Sequence, residues 1–197
     1  MSHPEFRGRE ALLALIDEAY AQPDGEGLTN TLRDGLCRLI RDKAVSLPDC
    51  VFEPVEGHYA RREIYACPER GFTVVAMTWA PGQGTPIHDH CGLWCVEGVW
   101  QGQLEITRYE LEEDAGERAR FSMHETLMAG TGSAGSLLPP HEYHTIRNPQ
   151  PDRISISLHV YQQAMGCCAT YTPLEGDWYQ KGRKDLALDA VECGPEG

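Results

Sequence analysis

Histidine side chains are concentrated in two short segments of this sequence. His88 and His90 are separated by a single residue, and His144 lies in a second cluster much later in the chain. On a β-strand the residues i and i+2 point to the same face, so both imidazoles of an H-x-H pair can bind one metal ion when a third ligand comes from elsewhere. A single histidine is more often a structural residue. The pair, entered through the Gly- and Pro-rich residues 80–86 and combined with His144, predicts a metal site.

A second polar set lies along one predicted strand, residues 154–161. Even-numbered positions there are isoleucine, leucine or valine, whereas the odd-numbered positions include Ser157, His159 and Tyr161. Strict alternation of this kind predicts a strand with one polar face. Solvent is the usual partner of such a face, but the same side chains could direct a phenol at a metal. Ser157 would then hold His159, and His159 would hold the Tyr161 hydroxyl, so that each buried polar group has a partner.

Two amphipathic helices are predicted ahead of these segments. Apolar residues recur at helical spacing in residues 5–21 and again in residues 28–46, and the turn-forming residues 22–25 separate the two patterns. Thr29 or Asn30 could cap the second helix at its N-terminus.

Short apolar runs separated by Gly, Pro, Asn and Asp follow from about residue 50 to residue 175. The runs lie at residues 72–79, 92–99, 103–109, 125–128 and 153–161. Runs of strand length at this spacing predict a β-sandwich or barrel. The charged residues 110–120 predict a hairpin tip in solvent.

These patterns divide the chain into three parts. Residues 1–48 are predicted to be a helical segment that packs on the barrel. Residues 49–180 are predicted to form the β-barrel that contains the metal site. Residues 181–197 are polar and predict a C-terminal tail on the surface.

Composition is typical of a globular protein and argues against several partners. The 197 residues are 41% hydrophobic and 24% charged, and the formal net charge is −13. An acidic surface of this kind repels phosphate backbones and anionic lipids, so neither nucleic acid nor a membrane is an expected partner. Charges are spread through the first twenty residues, and the eight cysteines include no C-x-x-C pair. We therefore expect a cytoplasmic protein with reduced thiols, and its oligomeric state stays open, a monomer included.

The histidine spacing resembles the two motifs of the cupin family of β-barrels. The first motif, G-x5-H-x-H-x3,4-E-x6-G, is matched from Gly82 to Gly102 at every position but one, because Cys95 replaces the glutamate. The second motif is matched in part, and the matched positions include His144 and Asn148. The resemblance implies a jelly-roll barrel. Three neutral imidazoles without the glutamate would leave a divalent ion with its full +2 charge, which favours an anionic ligand such as a thiolate.

The whole set resembles cysteine dioxygenase and its bacterial thiol dioxygenase relatives, over roughly residues 55–165. The resemblance implies that three histidines bind Fe(II), that a cysteine can form a thioether with a tyrosine, and that a Ser-His-Tyr set supports the site. The residues at these positions are His88, His90 and His144 for iron, Cys95 and Tyr161 for the thioether, and Ser157, His159 and Tyr161 for the supporting set.

An arginine on an early strand holds the substrate carboxylate in that family. The family's Tyr-x-Arg pattern fits Tyr59 and Arg61, whereas counting back from His88 without gaps selects Arg62. We prefer Arg61, because strand alternation then places Tyr59 and Arg61 on the same face. An arginine suits an amino-acid carboxylate through a bidentate contact.

The resemblance therefore implies an enzyme that oxidises a small carboxylated thiol to its sulfinic acid with O2. Many bacterial relatives have glycine at the position of Cys95, so its presence favours L-cysteine as the substrate. Mercaptopropionate and mercaptosuccinate are the alternatives within the family. A cupin with other chemistry, such as an isomerase that uses another metal, and a ligand-binding cupin are the alternatives outside it.

Overall fold

A computed structural model describes residues 3–191 of the chain, which form a mainly β structure with two helices at its N-terminal end. This is the fold class that the sequence predicts. Helix α1 spans Arg9–Tyr20, helix α2 spans Gly25–Arg41, and a 3₁₀ turn at Asp49–Phe52 leads into the strands. None of the helices in this part of the chain is long and apolar enough to cross a bilayer.

Helix α2 begins and ends earlier than the sequence pattern predicts. Its N-cap residue is Asp24, whose carboxylate accepts the backbone N–H of Gly27 at 2.7 Å, rather than Thr29 or Asn30. Thr29 instead lies inside the helix and is buried. The helix ends early because Lys43 has a left-handed backbone with a φ of 52°, which a helix cannot continue through.

The described residues contain eleven strands, and every pairing between them is antiparallel. Five strands form one sheet in the order β1-β2-β9-β4-β7, and the other six form a second sheet whose order β10-β11-β6-β5-β8-β3 closes on itself. Their bounds are β1 Ala60–Ala66, β2 Thr73–Trp79, β3 Ile87–His88, β4 Cys95–Gln101, β5 Gln103–Asp114, β6 Arg118–Gly130, β7 Ala134–Leu137, β8 His144–Arg147, β9 Ser155–Tyr161, β10 Cys167–Pro173 and β11 Trp178–Asp185.

The two helices cover the outer face of the five-stranded sheet. One buried apolar cluster joins them to it, and its members include Leu12, Ile16, Leu32, Leu36, Ile156, Leu158 and Val160. All seven residues of β9 are buried, so its odd-numbered side chains point away from the helices and into the barrel. The polar face that alternation predicts for β9 therefore lies in the interior and not in solvent.

The second sheet contains longer strands than the sequence predicts. Strand β6 covers far more than the predicted residues 125–128, and the predicted hairpin tip at residues 110–120 shrinks to the short turn between β5 and β6. Charged side chains pair across strands here. Arg120 lies 3.5 Å from Glu113, and Lys181 lies 3.1 Å from Asp114. The charged residues 110–120 therefore belong mostly to two paired, solvent-exposed strands and not to a loop.

Strand β4 begins later than the predicted residues 92–99. Cys91 and Gly92 have φ values of 54° and 72°, so the chain turns directly after His90. At the far end of β4, Gly102 has a φ of 80° and connects β4 to β5. A Cβ atom at Gly102 would lie 2.6 Å from the Ser155 hydroxyl oxygen, which explains why the last position of the histidine motif is glycine.

The predicted boundary between barrel and tail, at residue 180, lies inside a strand. Strand β11 continues to Asp185 and pairs with β10 and β6. Asp189 then exchanges two hydrogen bonds with Arg61: its backbone N–H donates to the Arg61 carbonyl at 2.7 Å, and its carboxylate accepts the Arg61 N–H at 2.8 Å. This segment is held to the barrel by backbone hydrogen bonds, which any residue type can make. Its polar composition therefore does not indicate that it is part of the barrel. Residues 192–197 of the predicted tail lie outside the described residues.

Candidate metal centre

Three imidazoles meet at one end of the barrel interior. The potential ligand atoms of His88, His90 and His144 all lie within 4.8 Å of one another. His88 and His144 face each other across the pairing of β3 with β8, and His90 follows in the turn after β3. The H-x-H pair therefore does not lie on one continuous strand, but the two rings still lie together, with their centroids 5.3 Å apart.

Backbone carbonyls orient two of the three rings. His88 Nδ1 lies 3.1 Å from the Pro86 carbonyl, and His144 Nδ1 lies 2.9 Å from the Glu142 carbonyl. A proton on Nδ1 in each ring would donate to its carbonyl, which leaves Nε2 with a free lone pair for a metal. Among the described groups, His144 Nε2 and His90 Nδ1 are buried and have no hydrogen-bond partner.

Burial also keeps these rings neutral. It lowers the pKa of His90 and of His144 well below the usual histidine value, and it lowers the pKa of His88 as well. A neutral imidazole is the form that binds a metal. Buried nitrogens without partners and an uncharged donor set both fit a borderline divalent cation such as Fe(II).

The two candidate arginines lie on opposite sides of β1. Arg61 is buried and lines the cavity of the three histidines, and its guanidinium donates to the Ala187 carbonyl at 3.3 Å. Arg62 points away from that cavity, because successive side chains on a strand alternate. Its guanidinium donates to the Glu53 carbonyl at 2.9 Å and to the Thr78 hydroxyl at 3.3 Å. Of the two, only Arg61 shares the cavity with the three histidine rings.

Tyr59 lies at the mouth of the same cavity. Its ring stacks on Trp79 with the centroids 4.5 Å apart, and its hydroxyl lies 3.3 Å from Lys184 Nζ. Lys184 also lines the cavity, a position that sequence reasoning missed because β11 was predicted to be a surface tail. No local pattern points to Lys184, because only the pairing of β11 with β10 brings it to the mouth.

Cys95 and Tyr161 are directly opposite each other on β4 and β9. Both are buried, with exposed fractions of 0% and 5%. Burial raises the pKa of each well above its usual value, so the thiol and the phenol both keep their protons at neutral pH. Tyr161 also lines the metal cavity, where its hydroxyl can donate a hydrogen bond.

The polar side chains of β9, Ser157, His159 and Tyr161, make only some of the contacts that the sequence predicts. Ser157 and His159 do contact each other, with the hydroxyl oxygen 2.8 Å from Nε2, and Trp79 donates to Ser157 at 2.9 Å. His159 has no hydrogen bond to Tyr161 among the described residues; the two rings stack with their centroids 5.8 Å apart. The reason is that Nε2 is taken by Ser157 while Nδ1 faces β4, where Cys95 Sγ lies 3.9 Å away. Burial lowers the pKa of His159 to about 3.

Glu97 is a second residue that sequence reasoning missed. It lies two residues after Cys95 on β4 and directly opposite His159, so it shares the inner face. Its Oε2 lies 3.5 Å from His159 Nδ1 and 3.8 Å from His144 Nε2. Burial raises its pKa to about 7. Glu97 could have been predicted from the sequence, because alternation along a strand places residue 97 on the same face as Cys95.

A cluster of three histidines inside an antiparallel barrel, with a buried arginine and a buried tyrosine in the same cavity, is the arrangement of a cupin barrel with a candidate metal site. The chain belongs to the cysteine dioxygenase type I family, whose family model matches residues 56–173, more than half of the sequence. The resemblance found in the sequence is thereby confirmed.

Relatives of known name or structure match part of the chain. Cysteine dioxygenase type 1 of Danio rerio is 26% identical over 110 residues, which are 53% of this chain and 52% of the relative. The match thus spans about half the length of that protein. A conserved protein with a double-stranded β-helix domain from Klebsiella pneumoniae is 18% identical, with a TM-score of 0.45 over 61% of this chain and 85% of its own. An RmlC-like cupin from Desulfovibrio desulfuricans is 15% identical, with a TM-score of 0.39 over 57% and 90%.

Proposed function

We propose that this protein is an iron-dependent thiol dioxygenase that oxidises a small carboxylated thiol to its sulfinic acid. L-Cysteine is the substrate that we favour. The observation that carries the proposal is the single cavity shared by the three histidines, Arg61 and Tyr161. The reaction balances with dioxygen as the only co-substrate, because a thiol R–SH and O2 together contain every atom of the sulfinic acid R–SO2H.

The proposed metal ligands are His88, His90 and His144. When bound, Fe(II) supplies the Lewis acid that a thiolate needs and the redox partner that dioxygen needs. The unpartnered buried nitrogens and the neutral rings support this assignment. Zn(II) or Mn(II) would also accept such a donor set, so the identity of the metal rests on the family.

Arg61 is proposed to bind the substrate carboxylate. The protein as a whole carries a net charge of −13, so an anionic substrate needs local positive charge, and Arg61 is a buried cation on the cavity wall. One hydrogen bond to the Ala187 carbonyl anchors the guanidinium and leaves its other N–H groups for a bidentate contact. Fixing the carboxylate places the sulfur of the thiol at the histidines.

Tyr161, His159 and Ser157 are proposed to support the reaction from β9. Because burial raises the pKa of Tyr161, its hydroxyl stays protonated and can donate a hydrogen bond to the bound substrate or oxygen. Ser157 holds the His159 ring through their hydrogen bond, and the ring stacks against Tyr161. A thioether between Cys95 and Tyr161 is also proposed, supported by their positions directly opposite each other in the sheet. Its C–S bond would replace the S–H bond of Cys95 and one ring C–H bond of Tyr161, a two-electron oxidation for which dioxygen, the proposed co-substrate, would be the oxidant.

One observation favours mercaptosuccinate as a second candidate substrate. Lys184 provides another cation at the cavity mouth, next to Tyr59 and on the wall that Arg61 also lines. A thiol with two carboxylates could use both cations, whereas cysteine and mercaptopropionate have only one carboxylate for them.

The test is oxygen uptake by the purified protein loaded with Fe(II), with cysteine, mercaptopropionate and mercaptosuccinate compared at equal concentrations. Sulfinate formed under ¹⁸O2 should contain two labelled oxygens by mass spectrometry. The same protein without metal, and the loaded protein without oxygen, are the controls and should form no sulfinate. No uptake with any of the three thiols would refute the proposed function.

A further inference from the structure

A buried carboxyl group lies beside His144 and His159, with no lysine or arginine among residues 3–191 to balance its charge. Glu97 is 7% exposed. Its Oε2 has no hydrogen-bond partner among the described groups, although His159 Nδ1 lies 3.5 Å away and His144 Nε2 lies 3.8 Å away. No lysine or arginine in the described part of the chain makes an ion pair with Glu97. Burial of a carboxyl oxygen without a partner is costly, so this position calls for a compensating cation.

The neighbouring histidine does not supply that cation, because the His159 ring is buried and burial lowers its pKa to about 3. The Trp79 indole can only donate, and it donates to the Ser157 oxygen. The Ser157 hydroxyl keeps its own hydrogen and can donate it to His159 Nε2; in that arrangement the ring proton of His159 lies on Nδ1, which faces Glu97 and Cys95. A neutral ring with this tautomer offers Glu97 a weak dipole and no full charge, which leaves a metal ion as the group that could balance the carboxylate.

We propose that Glu97 is the charge-balancing carboxylate of the metal centre, acting from outside the three-histidine set. The inference rests on the metal site of the proposed function and adds a residue to it. Cys95 occupies the place of the cupin motif's glutamate, and Glu97 restores a carboxylate one strand repeat further along the same face. Oε2 of Glu97 is close enough to His144 Nε2 to act on the charge of an ion held there, which raises the affinity for the metal and lowers the affinity for further anions.

The decisive variant is Glu97→Gln, which keeps the size of the side chain and removes its charge. Affinity for Fe(II) and for Co(II), measured by competition with a coloured chelator in the absence of thiol and oxygen, should fall about 10- to 100-fold, the range found for other groups that support metal ligands. Azide binding to the Co(II) protein, followed in its visible spectrum, should become tighter. The matched control is Glu105→Gln on β5, which removes a carboxylate that pairs with Arg147 and not with a histidine of the site. Its metal affinity should equal that of the unaltered protein.

Thermal unfolding of the metal-free proteins separates charge balance from a packing role. Without a metal the Glu97 carboxyl is buried with no cation beside it, so metal-free Glu97→Gln should unfold at the same temperature as the unaltered metal-free protein or at a higher one. A lower unfolding temperature would assign Glu97 a structural role and overturn the inference. Metal affinity equal to that of the unaltered protein, or no metal binding by either protein, would also overturn it. None of these measurements uses a thiol, so a protein whose metal affinity depends on Glu97 but which oxidises no thiol would refute only the proposed function.

Discussion

The two adjacent arginines of β1 allow a sharp test of how this cavity binds its substrate. Arg61 faces the three histidines, whereas Arg62 is turned to the opposite side and hydrogen-bonded to Glu53 and Thr78. The change to glutamine removes the charge in both cases and keeps a polar side chain of moderate length. The pair therefore compares the same substitution at neighbouring positions that differ only in the face of the strand they occupy.

The magnitude follows from the hydrogen bonds that each guanidinium can make. A hydrogen bond between charged groups contributes about 1.5–3 kcal/mol, and about 1.4 kcal/mol corresponds to a tenfold change. Arg61→Gln should therefore lower kcat/KM for cysteine about 10- to 100-fold. Arg62→Gln should leave kcat/KM within about twofold but should lower the free energy of unfolding by about 1.5–3 kcal/mol, because its two hydrogen bonds are internal.

Initial rates of oxygen uptake give kcat/KM, and urea unfolding gives the stability of each variant. Cysteamine, which has the thiol and the amine of cysteine but no carboxylate, is the control substrate. The loss caused by Arg61→Gln should largely disappear with cysteamine, since there is then no carboxylate to bind. Equal losses for Arg61→Gln and Arg62→Gln, or an equal loss with cysteine and cysteamine, would refute the assignment of Arg61.

Three further predictions address the mouth, the proposed cross-link and the buried histidine. Lys184→Met should lower kcat/KM for mercaptosuccinate by up to about fivefold, the effect of an exposed ion pair, and should leave cysteine oxidation almost unchanged; equal effects on both thiols would argue against a second carboxylate at Lys184. The intact mass of the unaltered protein should be lower than its sequence mass by two hydrogen atoms if the Cys95–Tyr161 thioether forms, and Cys95→Ala should have its full sequence mass; a deficit that persists in Cys95→Ala would place the oxidation elsewhere. Burial lowers the pKa of His159 to about 3, whereas an unfolded histidine has a pKa of about 6.5. Below about pH 6.5 the unfolded protein therefore binds a proton that the folded protein does not. The free energy of unfolding of the metal-free protein should then fall by about 1.4 kcal/mol for each pH unit. His159→Gln should reduce that slope in urea unfolding between about pH 6.5 and pH 5, and an unchanged slope would mean that His159 does not titrate in this way.

Short-range patterns in the sequence predicted much of this molecule. The alternation of β9 identified one face with Ser157, His159 and Tyr161, and the same argument placed Arg61 of β1 together with Tyr59, which directly precedes that strand. These predictions succeed because the direction of a side chain on a strand depends only on its position in that strand. Helix α2 was predicted with the wrong ends, since capping by Asp24 and the left-handed Lys43 are local details that apolar periodicity does not show.

What a side chain faces is a different matter, because it depends on strands distant in the chain. The order β2-β9-β4 placed Glu97 opposite His159, and this pairing turned His159 Nδ1 toward β4 and away from Tyr161. Pairing of β11 with β10 places Lys184 at the cavity mouth, although the polar composition of that segment predicts a surface tail. The sequence by itself determined the histidine set, the faces of the strands and the class of fold, since each follows from local spacing. Only the tertiary structure decided which faces meet, because strand order and register are set by the burial of the whole barrel and not by any one segment.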